Sequence, residues 1–222
     1  MTFTLALATA TPRVGVALAG PDGPIGHISV ATGRRHGETL APAIRSLAEL
    51  TGVGLAAVGR VAVDHGPGLF TGLRVGVATA KALGAALGVP VVPCSSLDLL
   101  AHPHRHLRRP VAAVVDARRG EVFWALYEPV GAGMAAVTEA CVAAPDVVAE
   151  VLTTIDGVLV TGDGARRWLG GQEGWDLALP EYDHPSAEVL AELAPTRPAL
   201  APEKVTPLYL RGADVRIGWE QR

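Results

Sequence analysis

Aromatic residues are scarce, at 5% of 222 positions, so any core must be filled by alanine, valine and leucine. Cysteine is scarcer still. Cys94 and Cys141 sit in apolar, strand-like surroundings without metal-ligand spacing, which excludes a disulfide framework and predicts two reduced core thiols in a cytoplasmic protein. No uninterrupted run of about 18 apolar residues occurs, and Met1 is followed by an alternating strand pattern rather than a basic leader, so no membrane association is expected. Excess positive charge is missing too. With a formal net charge of −3 the chain has no overall field to gather nucleic acid, and the pairs Arg34-Arg35, Arg108-Arg109, Arg118-Arg119 and Arg166-Arg167 read as solvated surface.

What is present is 49% hydrophobic content, enough to bury one domain or two small lobes. The opening residues predict a three-stranded meander, Thr4 to Ala8, Val14 to Ala19 and Ile25 to Val30, with turns at Pro12 and Pro21 to Pro24. Leu40, Ile44, Leu47 and Leu50 then recur at helical spacing, with Pro42 expected in the first turn or at a kink. A strand over Val58 to Val63 leads into glycines 66, 68 and 72 and a second helix, for which Thr71 is a candidate cap. Another strand ends near Cys94, and Ser95 or Ser96 can cap a short helix toward Ala101. His102 to Arg109 reads as a polar, solvated connection.

The strand-turn-strand pattern then returns, from Val111 to Val115 and from Glu121 to Tyr127. A shift of 108 places Val115 on Leu7, Val122 on Val14 and Leu126 on Leu18, with the turns in register. Val158 to Val160 followed by Gly162-Asp-Gly164 echoes the earlier strand into Gly66-Pro-Gly68. Two related lobes, 1–105 and 106–222, account for the repeat.

A glycine turn into a helix can hold an anion, yet Gly66 to Gly72 matches neither common nucleotide loop. The dinucleotide fingerprint fails because the third glycine falls one place late and Pro90 to Cys94 carries no acid. The triphosphate loop fails because Lys81 follows Ala80 inside the helix pattern. Neither cofactor class is inferred, and none is expected. His102, His104 and His106 alternate but are interrupted by Pro103 and lack a carboxylate partner, so no metal site is assigned. His36 and His65 lack triad companions and read as packing or interface residues.

Leu5 to Pro12, Arg35-His36 with Leu40-Ala-Pro42, Gly66 to Arg74, Ser95-Ser-Leu97, Asp116 to Trp124 and Pro207 to Arg211 together resemble the TsaB family of bacterial tRNA threonylcarbamoyladenosine biosynthesis proteins. The resemblance spans nearly the whole chain, in order. It implies an α/β, actin-like ATPase fold, with two related lobes each carrying a mixed sheet and flanking helices. It also implies a non-catalytic partner of TsaD, the enzyme that transfers the threonylcarbamoyl group to the adenosine beside the anticodon. TsaE is a further implied partner, tRNA only an indirect one, and a homodimer is expected in isolation.

Two absences fit that reading. ATPases of this fold end the first strand in a carboxylate, where this chain has Ala8, and a TsaD-like metal pair would fall at Ser96 and Leu100. In the family the first two helices pack against the equivalent pair of TsaD, which makes Leu40, Ile44, Leu47, Leu73, Gly76, Val77 and Ala80 interface candidates. Gly72, Gly76, Ala80, Gly84 and Gly88 form a small-residue stripe that could meet either a partner or the chain's own sheet. Asp116, Arg118 and Arg119 are candidate contacts to a partner or to an interface nucleotide. The competing expectation is an active actin-like phosphotransferase or carbamoyltransferase using Asp116.

Overall fold

The computed structural model describes residues 2–33 and 35–211. Arg34, from one of the arginine pairs, and the last eleven residues of the expected second lobe lie outside the described residues.

Strands β1 (Phe3–Ala8), β2 (Arg13–Gly20) and β3 (Gly23–Ala31) form the expected antiparallel meander. Helix α1 (His36–Thr51), β4 (Val58–Gly66), α2 (Phe70–Leu87) and β5 (Val91–Ser95) follow, and the sheet order is β3-β2-β1-β4-β5. Alternation along the strands sorts residues by size. Leu5, Leu7, Val14, Val16, Val61 and Val63 face α1 and α2, whereas Ala6, Ala8, Ala17 and Ala62 line the opposite face. The small residues let helix α6 (Ala187–Leu193) lie close on that second face, sealed by Leu190 and Ala191.

Helix α3 (Ser96–Ala101) and a 3-10 turn over His102–Leu107 carry the chain to a second sheet. Its strands are β6 (Val111–Arg118), β7 (Glu121–Val130), β8 (Gly133–Ala136), β9 (Cys141–Ala143), β10 (Leu159–Thr161) and β11 (Asp176–Leu177). The order is β11-β10-β6-β7-β8, with β9 also paired to β7. Helices α4 (Pro145–Leu152) and α5 (Asp163–Trp168) cover one face, and Leu97 and Leu100 of α3 pack on the other. After residue 186 the chain returns to the first sheet through α6 and a bridge between Leu200 and Val91.

The repeat is real in outline but not at one shift. The helix that follows each meander defines equivalent layers, the α1 and α2 side in the first sheet and the α4 and α5 side in the second. A shift of 108 keeps Val14 and Val122 in those layers, and Leu18 and Leu126 likewise. It fails for the first strand, because Leu7 faces α1 and α2 whereas Val115 faces α3. Val114 is the equivalent residue, one place earlier. The second hairpin is also tighter: Arg118 pairs with Glu121, where the first leaves a loop beyond Ala8 and Gly15. A one-residue slip flips the face, so identical alternation in sequence hid it.

Other local expectations need correction. Of the two places expected for Pro42, the first turn is ruled out, since it stands in the second turn of α1. Thr71 is not a cap; α2 begins at Phe70 after Leu69, whose side chain caps nothing and whose N–H donates to Ala10 O at 2.7 Å. Cys94 is buried, and burial pushes its thiol up to about 12, whereas Cys141 is exposed on the short edge strand β9.

Candidate functional site

Ala8 ends β1 on the face that α6 covers, and it is 4% exposed. Ala187 fills the space in front of it: a Cβ built on neighbouring Gly15 would lie 3.3 Å from the Ala187 methyl and 3.6 Å from that of Ala8. Where the resemblance places a metal-binding carboxylate, apolar methyl groups are packed together.

An acid does stand on the adjacent strand, and sequence reasoning passed over it. Asp64, near the end of β4, is fully buried. Its Oδ1 accepts hydrogen bonds from Gly66 N at 3.1 Å and Ser96 Oγ at 2.5 Å, while Oδ2 has no hydrogen-bond partner among the described residues. Burial raises the carboxyl to about 7, against the opposing pull of those donors and of the Ala10 backbone amide, which approaches the carboxylate without reaching hydrogen-bond geometry. Ser96 is therefore committed to Asp64, and Leu100 to the second core. The signal available beforehand was an acidic residue in an otherwise apolar strand.

The largest concentration of chemistry lies between the start of α2, the β6-β7 hairpin and the segment 206–211. There a cavity of about 590 Å³ is lined by Phe70, Arg74, Asp116, Arg118, Arg119, Phe123, Tyr209 and Arg211. The hairpin tip explains two of these positions. Arg119 and Gly120 have φ of 56° and 79°, as a two-residue turn with both central residues left-handed requires, and Arg118, at φ 63°, follows a register shift after Asp116. Asp116 is held from several sides. Its carboxylate accepts from Arg118 N and Nη1 at 2.9 Å each, from Arg167 Nη1 at 3.2 Å and from Trp168 Nε1 at 3.4 Å. Its backbone N–H donates to Asp163 Oδ1 at 3.0 Å, and burial raises Asp163 to about 6. So the structure brings Asp116, Arg118 and Arg119 together at one cavity, and ties the Asp116 charge to two guanidiniums.

The cavity's other wall is aromatic. Phe70 and Tyr209 rings lie 5.5 Å apart, the Arg74 guanidinium sits 3.8 Å over Phe70, and Arg74 Nε donates to Tyr209 Oη at 3.2 Å. Arg211 pairs with Glu121 and also donates to Ala117 O.

The seven helix candidates lie elsewhere. Leu40, Ile44, Leu47, Leu73, Gly76, Val77 and Ala80 are all buried within the chain itself, so their side chains face its own core and not an outer surface. Of the small-residue stripe, Gly72, Gly76, Ala80 and Gly84 likewise pack inward, whereas Gly88 caps α2 in open space. A methyl on Gly72 would overlap the Thr9 carbonyl oxygen, one on Gly76 would overlap Thr9 Oγ1, and that hydroxyl donates to Gly72 O at 2.8 Å. Outward on the same two helices are Ala41, Arg45, Ala78, Ala82 and Ala85.

His36, His65, His102 and His104 are held in contacts within the fold. His36 is buried, with Nε2 donating to Thr11 O at 2.7 Å. His65 Nδ1 lies 3.2 Å from Thr206 O, and burial lowers its pKa. The expected solvated stretch is instead a partly buried turn. His104 Nε2 meets Thr161 Oγ1 at 3.1 Å, with its pKa lowered to about 4 by burial, and His102 Nε2 meets Glu192 Oε1 at 3.2 Å. Among the described residues no three His, Cys, Asp or Glu side chains gather as a metal site would need.

Comparison with known proteins settles the family. Residues 26–157 match the family model described as TsaD, tRNA N6-adenosine threonylcarbamoyltransferase. The Escherichia coli tRNA threonylcarbamoyladenosine biosynthesis protein TsaB is 31% identical over 228 residues, which cover 98% of this chain and 96% of that protein. The chain belongs to the TsaB family. Its backbone also superposes on YeaZ from Pseudomonas aeruginosa with a TM-score of 0.81 and 32% identity, over 95% of this chain and all of that one. A more distant likeness, to the activator of 2-hydroxyisocaproyl-CoA dehydratase from Clostridium difficile, has 9% identity and a TM-score of 0.50, over 88% of this chain and 94% of that one, and speaks to fold alone. The two-sheet architecture is that of the actin-like ATPases. Within this TsaB-family chain no helix of the described residues is long and apolar enough to cross a membrane.

Proposed function

We propose that this TsaB-family chain serves tRNA threonylcarbamoyladenosine synthesis as a non-catalytic subunit that binds and positions TsaD, with TsaE as a further partner. The observation that carries this reading is the apolar packing of Ala8 against Gly15 and Ala187, where a phosphate-transferring relative would need a carboxylate and room for a cation. Asp64 does not replace it, because its carboxyl is fully buried and raised toward neutrality. Catalysis is then left to TsaD, and this chain acts by contact.

The contact surface proposed is the outer face of α1 and α2. Ala41, Ala78, Ala82 and Ala85 give it a low profile that another helix pair can approach closely, while the large residues beneath hold the two helices rigid. Free protein would pair through the same face with a second copy.

Purified chain is incubated with threonylcarbamoyl-adenylate and tRNA, with and without TsaD. Modified adenosine is expected only when TsaD is present. Mg²⁺-dependent turnover by the chain alone, lost on Asp116→Ala, would establish the phosphotransferase or carbamoyltransferase alternative instead. For the surface, Ala78→Arg combined with Ala82→Arg should leave the melting temperature within a few degrees and abolish co-elution with TsaD. Undiminished co-elution would move the interface elsewhere.

A further inference from the structure

The 590 Å³ cavity between α2 and the β6-β7 hairpin gathers arginines from three distant places in the chain, Arg74, the adjacent Arg118 and Arg119, and Arg211, around an aromatic pair. The acids at the same place are already matched: Asp116 is buried under Arg118 and Arg167, and Glu121 pairs with Arg211. The aromatics are not hidden. Phe70 is 49% exposed and Tyr209 46%, although rings of this kind are among the most favourable groups to bury. Exposed aromatic faces held beside guanidiniums are the means by which proteins bind unpaired nucleotides, the base stacking on a ring and the flanking phosphates meeting the cations.

From this geometry we infer that the cavity is a docking platform for an unpaired segment of RNA, with one base stacked on the Phe70–Tyr209 pair and the flanking phosphates on Arg74, Arg118, Arg119 and Arg211. A mononucleotide is a poorer match. Its base would lie on an open rim without an enclosing slot, whereas a strand crossing the rim reaches cations on both sides. Asp116 and Glu121 offset two of the positive charges, through Arg118 and Arg211, but with Arg167 behind Asp116 the arginines at this place still outnumber the acids. The preference for RNA over other polyanions rests on the proposed place of this chain in tRNA modification. The binding itself is measured without TsaD, so failure here leaves the TsaD assay untouched.

The test is fluorescence anisotropy of the full chain with a labelled, unstructured dodecanucleotide of adenosine and uridine. With three to four phosphates engaged, affinity should fall about 20- to 50-fold between about 50 and about 200 mM KCl. Arg74→Gln with Arg119→Asn should flatten the log-log salt slope by about 1.4. Phe70→Ala should weaken binding about 5- to 150-fold with the slope unchanged, and Phe70→Trp should restore it. Unaltered melting temperatures show that these surface variants remain folded. Absence of saturable binding at the lower salt, or a slope indifferent to the arginine changes, overturns the inference. ADP competing as tightly as the RNA would make this a mononucleotide pocket, and polyglutamate doing so would make it an acidic-protein patch; either result also overturns it.

Discussion

Replacing Asp64 by asparagine isolates the energetic consequence of burying an acid in the apolar floor of the first sheet. Asn can keep the acceptor that serves Gly66 N and Ser96 Oγ while removing the ionisable group. In the folded protein the carboxyl titrates at about 7, against 3.8 for its ordinary value. A group that holds its proton more tightly when folded lowers stability as pH rises from the unfolded value through the folded one. The whole effect is about 4 kcal/mol, fully felt only above pH 7. Linkage between those two values gives a change of about 2–3 kcal/mol from about pH 5 to about pH 8. The asparagine variant escapes that loss. Its amide nitrogen inherits the unpartnered place of Oδ2, at a roughly constant cost of about 1–3 kcal/mol. Urea unfolding of both proteins across this range should therefore give a stability difference that moves in favour of the variant as pH rises, steepest below pH 7 and level above it. Other titrating groups cancel in the difference. A flat difference would mean that the carboxylate is ionised and satisfied in the native state, and the account of Asp64 would fail.

Two further expectations concern packing. Gly72→Ala should lower stability by about 3 kcal/mol, because the added methyl meets the Thr9 backbone and not a side chain that can swing away, whereas Gly37→Ala in open space on α1 should raise it by about 0.5–1 kcal/mol; chemical denaturation midpoints check both. Ile44→Asp should unfold the chain or leave it insoluble, since it places an unpaired charge in the first core, and circular dichroism decides; a folded variant that merely loses TsaD would return Ile44 to the outer face.

Alternation and helical spacing made most of the architecture legible. The meander, α1, the glycine-led α2 and the second meander all stand where those patterns put them, because a half-buried strand or helix writes its inner face into the order of its residues. The motifs from Leu5 to Arg211 identified the family for a related reason, as each is a short run at the end of a strand, the start of a helix or a turn between them and is legible without knowing the packing. Three things escaped. Periodicity finds the apolar face of α1 and α2 without saying whether a partner or the chain's own sheet covers it, and Leu40, Ile44 and Val77 proved to be covered from within. Asp64 left only a faint signal, an acid at the end of an apolar strand, because one polar residue does not disturb a strand pattern or say whether it is buried. The arginines were invisible as a group.

The sequence by itself thus determined the elements, their order and the family, since these follow from local preference and from motifs a few residues long. Only the tertiary structure decided which layer each face joins, that α6 returns to the first sheet, and that Arg74, Arg118 and Arg211 meet beside Phe70 and Tyr209. Those outcomes depend on contacts between residues many tens of positions apart, chosen by volume and closure of the chain, and no local pattern encodes them.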